Sequence, residues 1–169
     1  MESTKNKLTF NQYEFFLKLK NYLNTPIYFY GSIQRDDYFP GKSDLDVDIF
    51  TENEKYTIYA LCNFLNLHKS DFKKSVYKVD NKIITGYKVK YEDEEKNIQV
   101  EIALYNEKFK ELVLNDHLKD FNLPFHILFF LFIIKFLYYN LQILPKEYYK
   151  NLKRIIMNDG AEVKFVVLD

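Results

Sequence analysis

From Ile27 to Phe50 the chain reads IYFYGSIQRDDYFPGKSDLDVDIF. The apolar run from Ile27 to Tyr30 predicts a buried strand, and Gly31-Ser32 ends it. A polar loop from Ile33 to Ser43 leads into Asp44 to Phe50, which alternates with period two. Side chains alternate across a strand, so Asp44, Asp46 and Asp48 fall on one face and Leu45, Val47 and Ile49 on the other. Carboxylates stacked on one face repel one another, so a cation is expected there. A hard divalent ion such as Mg2+ suits oxygen ligands drawn from carboxylates and substrate phosphates. An amphipathic strand with a solvated acidic face would carry the same pattern. Gly31 and Ser32 weigh towards the metal: a glycine lets a polyanion approach the backbone, and the serine hydroxyl with nearby N–H groups can hold a phosphate.

Taken together, these residues resemble the DNA polymerase beta-like nucleotidyltransferase superfamily. Its signature is a strand ending in Gly-Ser, a loop or short helix, Ser-Asp-x-Asp on the next strand, and a third acidic residue on a later strand. The matching residues are Gly31-Ser32, Ser43-Asp44-Leu45-Asp46, and Glu101 within the run from Asn97 to Leu104. The resemblance spans Ile27 to Leu104. It implies an α+β fold, a palm-like mixed sheet flanked by helices over residues 1–105. Residues 106–169 would form a small C-terminal helical bundle with a possible final strand. It also implies transfer of a nucleoside monophosphate from a nucleoside triphosphate to an acceptor hydroxyl, with release of pyrophosphate. Asp44, Asp46 and Glu101 would hold two Mg2+ (or Mn2+) ions. Gly31, Ser32 and Ser43 would hold the phosphates, with Arg35 and Lys42 of the loop as further triphosphate contacts. Asp48 shares the acidic face but lies beyond the matched motif, either as a spare ligand or as a group behind the ligands.

The chain departs from the family pattern in three ways. The third acid is Glu rather than the more frequent Asp, which lengthens its reach. No second glycine follows soon after Gly31-Ser32, although Gly41 could take that part. The region after residue 104 leaves little room for the fingers and thumb of a processive polymerase. A catalytically inactive nucleotide-binding or scaffold module that kept the fold is therefore the alternative.

The 169 residues suit one ordinary domain with a helical appendage, and 47% hydrophobic composition supplies ample core. Basic and acidic residues balance at 24 each, which argues against a protein that coats polyanions through net charge. Cys62 is the single cysteine, so no internal disulfide can form, and its apolar helical surroundings suit a buried thiol. No G-x-S-x-G elbow is present, which weighs against a serine hydrolase. The N-terminus lacks a signal-peptide apolar region, and a cytoplasmic location is expected.

Thr9 and Gln12 have the spacing of a capping box and predict a helix from Phe10 to Leu23. Phe10, Tyr13, Phe16, Leu17 and Leu23 would form its buried side. Thr51 and Glu54 repeat the spacing and predict a helix to Leu65, with Ile58, Leu61, Cys62 and Leu65 inward. Three strands are expected over 73–79, 82–91 and 97–104, with turns at Asp80-Asn81 and Glu92 to Glu95. Helices follow over 106–118, with Asn106 as cap, 125–141 after Pro124, and 145–158, closed by Asn158-Asp159-Gly160. A β-branched run from Val163 to Leu168 suggests an edge strand. The apolar run Ile127 to Ile134 ends at Lys135 and is far short of the ~20 residues a membrane span needs, so it predicts a central core helix. His126 at its start is read as a packing or capping residue.

Lysine is concentrated in two places. Lys69, Lys73, Lys74, Lys78, Lys82, Lys88 and Lys90 face only Asp71 and Asp80 in the same segment. Lys146, Lys150, Lys153 and Arg154 fall on one side of the last helix. Either set could track the backbone of a nucleic-acid acceptor, or be a solvated face or an edge-strand guard.

Overall fold

The strand pattern closes into a single mixed sheet in a computed structural model that describes residues 2–79, 81–119, 121–157 and 165–168. The strands are β1 (Ile27–Tyr30), β2 (Leu45–Thr51), β3 (Lys73–Val79), β4 (Lys82–Asp93), β5 (Ile98–Asn106) and β6 (Phe165–Leu168). Their order is β1-β2-β5-β4-β3-β6. β2 and β5 run parallel, and the other neighbouring pairs run antiparallel. The helices are α1 (Phe10–Leu23), α2 (Glu54–Leu65), α3 (Lys110–Lys119), α4 (Phe125–Tyr139) and α5 (Lys146–Ile156). The expected edge strand is present over Phe165–Leu168, paired with β3. Val163, Asp80 and the helix stop at 158–160 lie outside the described residues.

Alternation sends Leu45, Val47 and Ile49 of β2 and Val100, Ile102 and Leu104 of β5 to one face. There they bury against Phe16 of α1 and Ile58, Leu61 and Leu65 of α2. The other face carries Phe50, Ala103, Tyr105 and Ile84, and α3 covers them with Val113. Gly86 on β4 is required here because the Tyr105 ring lies where its Cβ would be.

Four local expectations need correction. The Thr9–Gln12 capping box forms, but the buried line of α1 is Gln12, Phe16 and Leu19, while Phe10, Tyr13 and Leu17 are exposed. Several helical phases of this aromatic-rich segment present an apolar stripe, and docking on Phe29 and Tyr91 selects one. Asn53 caps α2, accepting from Tyr56 N at 3.1 Å. Thr51 stays in β2, and its hydroxyl accepts from Asn53 N. Asn106 caps a 3-10 turn, Glu107–Phe109, from which α3 continues.

The fourth concerns α4, which is not a central core helix. Leu131, Ile134 and Lys135 are buried, whereas its phenylalanines at 125, 129, 130, 132 and 136 are exposed. α4 packs on α5 at the rim of the molecule through Leu131, Ile134, Tyr138 and Tyr149. Among the described residues, no helix is long and apolar enough to cross a membrane.

Candidate active site

The backbone register lines up the acidic residues. Asp46 on β2 pairs with Tyr30 of β1 on one side and Glu101 of β5 on the other, and Glu101 pairs with Lys90 of β4. Register partners point to the same face of a sheet, so these four side chains form one row across it. Asp44, just before β2, is exposed at the end of the same strand. The structure thus brings Asp44, Asp46 and Glu101 to one end of one sheet face.

Gly31 sits beside this row with φ +70°, in the left-handed region. A Cβ there would run into the Asp46 carboxylate. The glycine is therefore what allows the turn after β1 to close over Asp46. Ser32 follows in a single 3-10 turn, Gly31–Gln34, and is buried.

Charge in the row is unevenly compensated. Burial pushes the Asp46 carboxyl up to about 6; Lys153 opposes the shift, and Glu101 and Asp44 add to it. Burial also raises Glu101, but the charge and hydrogen bond of Lys88, then Lys90, outweigh it and hold the carboxyl below its ordinary value. Lys88 Nζ lies 2.7 Å from Glu101 Oε1, and Lys90 Nζ lies 3.5 Å from Oε2. Asp46 thus stays raised by burial despite Lys153 and Lys88, while Glu101 holds two lysines in contact.

Asp48 continues the acidic face but is sealed beneath α3. It is fully buried, with Oδ2 2.9 Å from His117 Nε2, and Tyr30 stacks flat on the His117 ring at 4.0 Å. Burial raises its carboxyl, and His117 offsets part of the shift. Asp48 therefore sits behind the row, holding α3 to the sheet. Sequence patterning could not reveal this, since His117 is 69 positions away with no motif linking the two.

A cleft of about 220 Å3 opens over the row, between the end of the sheet and helices α4 and α5. Its lining includes Asp44, Lys90, Glu101, Tyr139, Lys146 and Lys150. Tyr138 and Tyr149 also line it, stacked on each other at 4.4 Å and 4°. Burial, then the charge of Asp44, pushes the Tyr139 hydroxyl up to about 12, against its hydrogen bonds with Tyr149 and Ser43. The basic side of α5 thus borders the carboxylates. Sequence reading missed the tyrosines and gave Lys146 to Arg154 to an acceptor rather than to this cleft; the i, i+3 spacing of Lys146 and Tyr149 was the available signal.

The remaining loop residues point elsewhere. Arg35 is buried, its Nε donating to Asp37 Oδ1 at 2.8 Å. Lys42 Nζ donates to the Tyr139 carbonyl at 3.2 Å and to Asn140 Oδ1 at 2.5 Å, which ties the loop to α4. The Ser43 hydroxyl is buried and accepts from Phe39 N at 3.2 Å. Arg35 and Lys42 are thus not brought to the cleft, because each satisfies a structural partner. Of the other cluster, Lys88 and Lys90 reach the row, and β3 and β4 carry most of the remainder.

The donor chemistry fits a hard cation at Asp44 and Asp46: the groups are all oxygen, and the Asp46 carboxyl stays raised despite Lys153 and Lys88. Among the described residues no three His, Cys, Asp or Glu side chains already form a metal-holding group. The family model for the nucleotidyltransferase domain matches residues 12–159, most of the 169-residue chain. No curated protein and no solved structure matches it. With the mixed sheet, the Gly-Ser turn and the acidic row already placed, that match settles the family: the chain belongs to the nucleotidyltransferase domain family.

Proposed function

We propose that the chain transfers a nucleoside monophosphate from a nucleoside triphosphate to an acceptor hydroxyl at the row formed by Asp44, Asp46 and Glu101. The observation that carries this reading is Asp46: a carboxyl raised by burial, wedged against a glycine and paired in register with Glu101, which lines a cleft edged with lysines. Asp44 and Asp46 would hold two Mg2+ (or Mn2+) ions, with Glu101 exchanging a lysine contact to join them. When bound, such ions lower the pKa of the acceptor hydroxyl and neutralise charge on the triphosphate and the leaving oxygen.

The chain's own groups supply the rest. Backbone N–H groups of the Gly31–Gln34 turn and the Ser32 hydroxyl hold the β- and γ-phosphates. Lys146, Lys150 and Lys153 take the place that the sequence assigned to Arg35 and Lys42, and neutralise the triphosphate from α5. The stacked Tyr138 and Tyr149 offer an aromatic platform for the base. The acceptor oxygen attacks the α-phosphorus, its proton passing to Glu101, which Lys88 and Lys90 keep ionised. The bond from the α-phosphorus to the bridging oxygen breaks, and pyrophosphate leaves in line.

The acceptor is a nucleic-acid end, a small molecule or a protein hydroxyl. Incubation with each labelled nucleoside triphosphate and Mg2+ or Mn2+, offering RNA, DNA and cell extract, tests the reading. Label transferred to one acceptor class with pyrophosphate released supports it. A second reading, an inactive module that binds nucleotide, rests on the Lys88–Glu101 pair, which already compensates the third acid. Under that reading nucleotides raise the melting temperature but label nothing.

A further inference from the structure

Helix α4 is built inside out. Its one lysine or arginine, Lys135, faces the protein interior, with Nζ 2.8 Å from Asp37 Oδ2 and 2.9 Å from the Asp37 carbonyl. Its outer surface is phenylalanine: Phe125 is 82% exposed, Phe129 51%, Phe130 52%, Phe132 46% and Phe136 38%. At 100° per residue these positions fill a continuous arc, shared with Ile133, Leu137 and one polar residue, His126. A helix that is apolar all round is a buried helix, and α4 is covered on one side only.

We propose that this arc is a homodimer interface, in which α4 packs against α4 of a second copy about a two-fold axis. Phe125, Phe129, Phe132 and Phe136 are spaced 4-3-4, the seam by which two helices pack at a shallow crossing angle. Such a seam is self-complementary, and a two-fold contact needs the same surface on both partners. No charged residue stands on the arc, so the two copies bring no like charges together.

The area also agrees. An aromatic side chain buries about 150–250 Å2, so the printed exposures leave roughly 400–650 Å2 open on α4 alone. On α5, Tyr148 and Ile155 are also exposed, on the flank turned away from Lys146, Lys150 and Lys153. The α4 arc alone is half or more of the ~800 Å2 that each partner gives to a standard interface, and reaches the upper range of the largest patch on a monomer. A membrane surface fits less well. Helices that lie on anionic lipid flank their apolar face with lysine and arginine, and on α4 the lysine points inward.

The test is the mass of the full chain in solution by sedimentation velocity, from roughly 1 to 100 μM, where a standard-size interface holds. The expected species has twice the 20.5 kDa mass of one chain. The double variant Phe129→Glu, Phe136→Glu should sediment at the single mass and keep one cooperative unfolding transition, at a lower temperature than the dimer because the stabilisation by association is gone. If the double variant fails to fold, Phe125→Lys at the most exposed position gives the same readout. A monomeric wild type, an open series of larger assemblies, or a variant that still dimerises overturns the proposal. So does a wild type that stays monomeric and floats with phosphatidylglycerol vesicles, or one that elutes only with a different protein.

Discussion

Two groups of opposite charges lie near α4 and α5, and they are finished differently. Around Asp37, Arg35 and Lys135 close a buried network that contributes two cations to one carboxylate. Burial raises Asp37, but the Arg35 hydrogen bond and the charges of Lys135 and Arg35 outweigh it and hold the carboxyl below its ordinary value. Around Asp46, the row of acids keeps a deficit: its neighbours Asp44 and Glu101 are themselves acidic, and the largest relief, from Lys153, leaves the carboxyl raised. A cluster that serves structure supplies its own counter-charges. One that serves chemistry leaves room for a charge that arrives with the ligand.

Asp46→Ala and Asp44→Ala should each cut nucleotide transfer by at least ~1,000-fold, about 4 kcal/mol of transition-state stabilisation, with the fold intact. Labelled-nucleotide transfer alongside a thermal melt checks both halves. Full activity in both variants would mean that the deficit at Asp46 is unrelated to catalysis.

Asp37→Ala should do the reverse. It leaves two buried cations without a counter-ion, and urea unfolding should show a loss of roughly 3–5 kcal/mol. A loss below 1 kcal/mol would show that Arg35 and Lys135 find water or other partners.

The third expectation sharpens the contrast through pH. A carboxyl whose folded pKa is raised favours the folded state fully below its ordinary value and loses that contribution as pH rises through about 6. In metal-free buffer, Asp46→Asn should therefore stabilise the protein at pH 7.5. The full shift corresponds to about 3 kcal/mol, reduced to about 2 for a partly solvated side chain. The gain should vanish by pH 4. A gain that persists at pH 4 would assign it to packing instead.

The smallest effect concerns α5. Lys150→Ala should raise the KM for the triphosphate about tenfold, about 1.4 kcal/mol, and leave kcat within a factor of a few. A fall in kcat at constant KM would place Lys150 at the reacting phosphate rather than along the chain of phosphates.

How much of this was legible in the sequence follows from the range of each interaction. The period-two run over β2, the Gly31-Ser32 stop and the Thr9–Gln12 cap are local, so spacing alone revealed them. The parallel register that sets Asp46 beside Glu101 is non-local, and only the family resemblance pointed to it. Nothing in the pattern linked Asp37 to Lys135, a pair 98 positions apart that reads locally as the end of an apolar run. Periodicity also fails for α4 for a physical reason: a helix with apolar residues all round has no amphipathic phase, so its buried side is chosen by Asp37 and α5.

The most direct measurement is Mn2+ binding by electron paramagnetic resonance in the presence of a non-hydrolysable nucleoside triphosphate. Two Mn2+ per chain should be held by the wild type, and neither should remain bound to Asp46→Asn above the binding of the free nucleotide. Equal Mn2+ binding by the wild type and the variant would contradict a cation site at the acidic row.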